Sequence, residues 1–152
     1  MTDKKVKKYS EELKKLGIEH KILEHPQLKS VKEVQDYLGL TLSDGFSTLV
    51  FKADDRYVSL IRRDDCKVDF DKFKKLLGVQ NLRMLTEEEF IKLTGLEPGA
   101  AQAFVPKVKT YLDQKLFEKE YLTGGSGSFT CSLSYKSEDL KKIQNSDVVN
   151  VA

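Results

Sequence analysis

The chain has no tryptophan, and its 152 residues include only two cysteines, two histidines and three prolines. Two cysteines cannot build a disulfide scaffold, and Cys66 and Cys131 stand in no CxxC or Cys/His spacing. His20 and His25 are too few for a His-rich metal site, and neither HExxH nor a paired CxxC occurs. No metal and no cofactor is therefore expected. This thiol usage suits a reducing compartment, and a cytoplasmic setting is the expectation. No apolar run approaches the roughly 20 residues that cross a bilayer, which predicts no membrane association. The opening segment is charged and amphipathic, without the apolar stretch of a secretory signal. Neither sign of charge prevails: 26 basic against 24 acidic residues leave +2. Contact with nucleic acid would have to come from a local patch.

What is present fits one soluble globular domain over residues 1–152. The hydrophobic share is 39% and the charged share 33%. Val6, Tyr9, Leu13 and Leu16 form a helical stripe that Gly17 ends. A short strand is predicted at 21–23, stopped by His25-Pro26. Ser30 and Glu33 make a capping box for a helix carrying Val31, Val34 and Leu38, closed by Gly39. Residues 47–52 and 57–61 read as a hairpin across the four residues 53–56. Asp69 caps a helix with Phe70, Phe73 and Leu77 inward. Thr86 and Glu89 box another with Phe90 and Leu93 inward, stopped by Gly95. A loop without periodicity covers 96–106. Strands are predicted at 108–112, 117–122 and 129–135, then a short helix capped by Ser137, then a strand at 148–151. This mixture predicts an α+β fold, with a mixed, largely antiparallel sheet flanked by helices.

The ordered set of these pieces, from about Lys14 to Val151, resembles the free-standing editing domains related to the insertion domain of bacterial prolyl-tRNA synthetase, the YbaK-like aminoacyl-tRNA deacylases. Thr48-Leu49-Val50-Phe51 is similar to that family's core strand, Glu24-His25-Pro26 to its His-Pro turn, and Glu97-Pro98-Gly99 to the start of its Gly-x-x-x-Pro loop. Two positions depart. Ser47 stands where the family has a lysine that points into the substrate pocket, and Ala103 where it has the loop proline. By strand alternation Lys52 points to the face opposite Ser47 and does not replace the lysine; Lys107 is the freer candidate.

The resemblance implies trans-editing: hydrolysis of the ester of a mischarged aminoacyl-tRNA, with a ribose hydroxyl of the tRNA helping to activate water. The protein would then supply positioning rather than a triad. Aminoacyl-tRNA is the implied partner, with an aminoacyl-tRNA synthetase as a further one. The implied substrate-binding residues are Ser47, Thr48, Gly99, Ala100, Ala101, Ala103, His25 and Gly125, and no catalytic residue is assigned. Ser47 lacks the Gly-x-Ser-x-Gly setting of a nucleophile and reads as a polar lining residue. His25 reads either as a general base or, beside Pro26, as a turn residue near the pocket rim. The Gly124-Gly125-Ser126-Gly127 run lacks the Lys-Ser/Thr of a Walker loop and reads as a connection touching substrate. The alternative, favoured by Ser47, is a non-catalytic relative that binds aminoacyl-tRNA, a nucleotide or a protein partner.

Overall fold

Each helix forms where an apolar stripe meets a start or stop signal. In the computed structural model, which describes residues 4–143 and 145–152, α1 (Lys4–Lys15) buries Val6, Tyr9 and Leu13 and leaves its lysines exposed. The Ser30 hydroxyl accepts from the Glu33 amide to start α2 (Val31–Leu38). Asp69 does the same for α3 (Phe70–Leu77), and Thr86 with Glu89 closes a reciprocal capping box on α4 (Glu87–Thr94). Gly39, Gly78 and Gly95 end α2, α3 and α4 in the left-handed conformation, which costs glycine least.

Among the described residues eight strands, interleaved with the helices, form two sheets. They are β1 (His20–Glu24), β2 (Phe46–Ala53), β3 (Arg56–Arg63), β4 (Leu82–Met84), β5 (Lys109–Asp113), β6 (Tyr121–Gly125), β7 (Cys131–Lys136) and β8 (Ser146–Val149). The smaller sheet has the order β1-β7-β6 and is antiparallel throughout. The larger has the order β4-β2-β3-β5-β8, antiparallel around β2 and parallel from β3 through β5 to β8. The α+β class read from the sequence stands, with the strands divided between two sheets.

Local chemistry explains where element boundaries differ from expectation. The β2–β3 connection is two residues long, because Ala53 pairs with Arg56. Asp54 takes φ 55 there, and its carboxylate accepts the amides of Gln80 and Asn81. Phe117 lies in a 3₁₀ turn (Gln114–Glu118), not in a strand. Asp113 caps that turn through the Lys115 amide, and the next strand waits until Tyr121. The strand expected from 129 begins at Cys131. Ser128 and Thr130 hydrogen-bond each other's side chains, and the Thr130 amide donates to Ser128, competing with the ladder. The last helix is 3₁₀ (Ser137–Lys142), and Ser137 lies inside it, donating to the Lys119 carbonyl instead of capping. The last strand is 146–149, while the amides of Val151 and Ala152 both donate to the fully buried Asp113 carboxylate.

The faces of β2 divide the core. Phe51 packs with Phe73 of α3, while Val50 packs with Phe90 of α4. Phe46, at the start of β2, joins the cluster built on Tyr9, Leu133 and Tyr135. It is the joint between the sheets: a Cβ on Gly124 would fall 2.3 Å from the tip of its ring, so only glycine admits the contact. An isolated parallel bridge between Gly45 and Thr123 lies beside it.

Candidate active site

Where the two sheets meet, a cleft of about 90 Å³ opens between β2, the start of α2, the Pro98–Ala100 turn and the ends of β6 and β7. That is well below the ~300 Å³ at which sites for drug-sized ligands begin, and it suits a small group. Ser47, Thr48, Gly99, Ala101 and Gly125 line it, as do Gln35, Asp64 and Ser132. Among the described lining residues Asp64 is the only ionisable one, and neither Lys52 nor Lys107 is among them. Lys107 borders separate grooves beyond the loop, with φ 65.

The hairpin register builds the polar wall. Ser47 lies opposite Arg62, and Asp64 follows one residue beyond the end of β3. Ser47 Oγ donates to Asp64 Oδ1 at 2.5 Å, and Gln35 Nε2 donates to Oδ2 at 3.3 Å. The Arg62 guanidinium lies 3.4 Å from Oδ1 through Nη1, while its Nε is buried without a partner among the described residues. Burial raises the Asp64 carboxyl above the ordinary carboxylate value, outweighing the Ser47 hydrogen bond and the Arg62 charge.

The loop wall is held by backbone contacts. The Ala103 amide donates to Tyr9 Oη at 2.9 Å, and Thr48 Oγ1 donates to the Ala103 carbonyl at 2.9 Å. Gln102 Nε2 donates to the Ser126 carbonyl at 3.0 Å. The Ala101 carbonyl lies against Gly125, where a Cβ would stand 2.0 Å from it. Ala100 and Ala103 are buried behind this wall and do not line the cleft. His25 does not line it either but touches it through Ser132: Nε2 lies 3.0 Å from Ser132 Oγ and Nδ1 2.8 Å from the Pro26 carbonyl.

Sequence reasoning missed Asp64, Arg62, Gln35 and Ser132. Counting the ladder outward from a two-residue turn would have set Arg62 opposite Ser47. For Gln35 and Ser132 no motif gave a signal.

Comparison with known proteins bears on the family and the fold. The family model described as an aminoacyl-tRNA editing domain matches residues 25–143. The proline–tRNA ligase of Staphylococcus aureus strain Newman is 28% identical over 105 residues, covering 68% of this chain. The match spans only 18% of that ligase. A solved structure described as a candidate trans-editing enzyme for prolyl-tRNA synthetase superposes with a TM-score of 0.87 at 20% identity, covering 99% of this chain and 98% of its own. A crystal structure of a hypothetical protein also gives 0.87, at 21% identity, over 97% of this chain and 99% of that one. At such identities these two structures speak for the fold. The model match covers most of the chain, and the protein belongs to the aminoacyl-tRNA editing domain family.

Proposed function

We propose that the chain is a trans-acting deacylase that hydrolyses the ester of a tRNA mischarged with a small amino acid. The observation that carries this reading is the size and lining of the cleft: about 90 Å³ between the Ser47 strand and the Gly99–Ala101 wall. A cleft that small favours an alanyl-sized side chain over bulkier ones, the logic of a second sieve. The cationic amino group of the aminoacyl ester would meet Asp64, the one ionisable residue among the described residues that line the cleft. The loop, fixed by Tyr9, Thr48 and Gly125, would hold the ester with little reorganisation. A ribose hydroxyl of the tRNA end then helps to activate water, as the family resemblance implies.

The test is the initial rate of deacylation over a panel of alanyl-, cysteinyl-, seryl- and prolyl-tRNA. Alanyl-tRNA should be hydrolysed fastest. Rates equal to those in buffer for every tRNA would overturn the reading. One observation favours the non-catalytic alternative: the Ser47 hydroxyl is committed to Asp64 and offers no charge where the family carries a lysine. Tight aminoacyl-tRNA binding without turnover would then be the outcome.

A further inference from the structure

Positive charge is concentrated in one element. The 12 residues of α1 carry six lysines against two glutamates. The whole chain has 26 basic and 24 acidic residues, so outside α1 the acids outnumber the bases. The charge is uneven within the helix as well. Lys4, Lys5, Lys7 and Lys8 precede both glutamates, Glu11 and Glu12. No acidic residue stands in the first turn, where the helix dipole favours one and opposes lysine. Val6, Tyr9, Ser10 and Leu13 are buried, and the lysines are exposed. Lys4, Lys7 and Lys8, spaced three and four apart, share the outward face. Glu11 and Glu12 stand four residues after Lys7 and Lys8, the less favourable order for helical pairing. Among the described residues none of Lys4, Lys7 and Lys8 is held in an ion pair.

Position ties this charge to the cleft. Gly99 and Ala101 line the cleft, and the two residues after Ala101 are bound to α1. Gln102 Nε2 donates to the Lys5 carbonyl at 3.3 Å, and the Ala103 amide donates to Tyr9 Oη at 2.9 Å. In the other direction Lys5 Nζ donates to the Gly95 carbonyl at 2.9 Å, where α4 ends. The loop wall thus has the cleft on one side and the first two turns of α1 on the other. The helix lies outside residues 25–143, so the family match gives it no role.

We infer that Lys4, Lys7 and Lys8 form a docking surface for phosphates of the duplex stem that leads to the 3′ end of tRNA; this rests on the aminoacyl-tRNA reading of the cleft. With the ester in the cleft, the single-stranded end crosses the loop wall and the stem rests on the outward face of α1. The charges suit it: three neighbouring cations with no acid in the first turn meet a polymer of regularly spaced anions. The contacts at Gly95, Gln102 and Ala103 fix the helix against the wall. A stem held on α1 is therefore held at a set distance from the ester, which is a positioning role.

The test is fluorescence anisotropy with labelled tRNA across a salt series, on the whole protein and two triple variants. Lys4→Gln, Lys7→Gln and Lys8→Gln together remove the charge and keep helix propensity. Each duplex phosphate neutralised contributes about −0.9 to the slope of log affinity against log salt, so this variant should flatten the slope by about 2.7. Its affinity at low salt should fall about tenfold or more. Lys4→Arg, Lys7→Arg and Lys8→Arg together keep the charge and should bind as the parent does. Single-turnover deacylation of alanyl-tRNA at saturating enzyme should be unchanged in both, because none of the three lysines lines the cleft. An unchanged slope in the glutamine variant would overturn the proposal. So would an arginine variant as weak as the glutamine one, since the loss would then not be one of charge. A parent that hydrolyses alanyl-tRNA, with an unchanged slope in the glutamine variant, would remove the surface and leave the deacylase reading standing. A flattened slope in a protein inert toward every aminoacyl-tRNA would support the surface and remove the deacylase reading alone.

Discussion

Asp64 shows how one side chain sets the character of a site. Its carboxyl is raised by burial, so the folded protein binds that proton more tightly than the unfolded chain does. The contribution to stability is therefore greatest when the group is protonated. It falls as pH rises from the ordinary carboxylate range, near 3.8, through the raised value, and is flat above. Asp44, Asp65 and Glu89 are lowered by their partners, Glu89 to about 2, and run the other way, losing stability as pH falls. Asp64→Asn removes only the first trend. In urea titrations the stability of the parent minus that of Asp64→Asn should decrease as pH rises through that window. A difference independent of pH would refute the assignment. Ser47→Lys acts on the same carboxylate. It replaces the hydroxyl donor with an ammonium, neutralises the cleft wall and supplies a charge that can hold the ester oxygen. A free oxyanion donor is worth on the order of a hundredfold in rate. Because the lysine also competes with the substrate's amino group for Asp64, the gain should appear as about tenfold in the single-turnover rate at saturating enzyme, with a raised KM for alanyl-tRNA; an unchanged KM would show that the amino group does not meet Asp64.

The helices were readable because their signals are local. Ser30, Asp69 and Thr86 each accept from the amide three residues on, as the capping patterns required. The strands after Asp113 were less readable, because the competing chemistry is side chain to backbone. Asp113 holds the Lys115 amide as well as those of Val151 and Ala152, so residues 114–118 wind into a 3₁₀ turn although Phe117 has a strand former's shape. The site divides the same way. Ser47, Thr48, Gly99, Ala101 and Gly125 follow from a chain-order resemblance, whereas Asp64 and Ser132 depend on ladder register. Gly125 tests the loop wall as an element. A Cβ there would sit 2.0 Å from the Ala101 carbonyl, backbone against backbone, so no side chain can yield. Gly125→Ala should displace the loop, cost about 1–3 kcal/mol in denaturant unfolding, and lower kcat/KM about a hundredfold, the typical penalty of ångström-scale misplacement. Parental kcat/KM in a stably folded variant would show that the wall does not position substrate.

At the scale of the whole molecule the proposed tRNA substrate sets a difficulty, because an anionic polymer would have to be attracted by a surface of nearly balanced charge. The net charge is +2, and the one ionisable residue among the described residues lining the cleft is acidic. Attraction must therefore come from particular cations around the mouth. Lys29 is the best placed: it is exposed, its ammonium lies 5.6 Å from the centre of the Phe129 ring, and its carbonyl and that ring both pack on Gly99 of the loop wall. The cation–π contact is worth only about 0.5–1 kcal/mol at an exposed site, so the side chain can turn to a phosphate with little loss. Each phosphate neutralised on a single strand releases counterions and contributes about −0.7 to the slope of log affinity against log salt. Lys29→Ala should accordingly weaken tRNA binding and flatten that slope by about that amount, while leaving the single-turnover rate at saturating enzyme unchanged, because the lysine does not line the cleft. Fluorescence anisotropy with labelled tRNA between 50 and 200 mM salt measures the slope. An unchanged slope would move the tRNA to another face of the molecule. An unchanged slope together with a slowed single-turnover rate would instead assign Lys29 to holding the loop wall through Phe129.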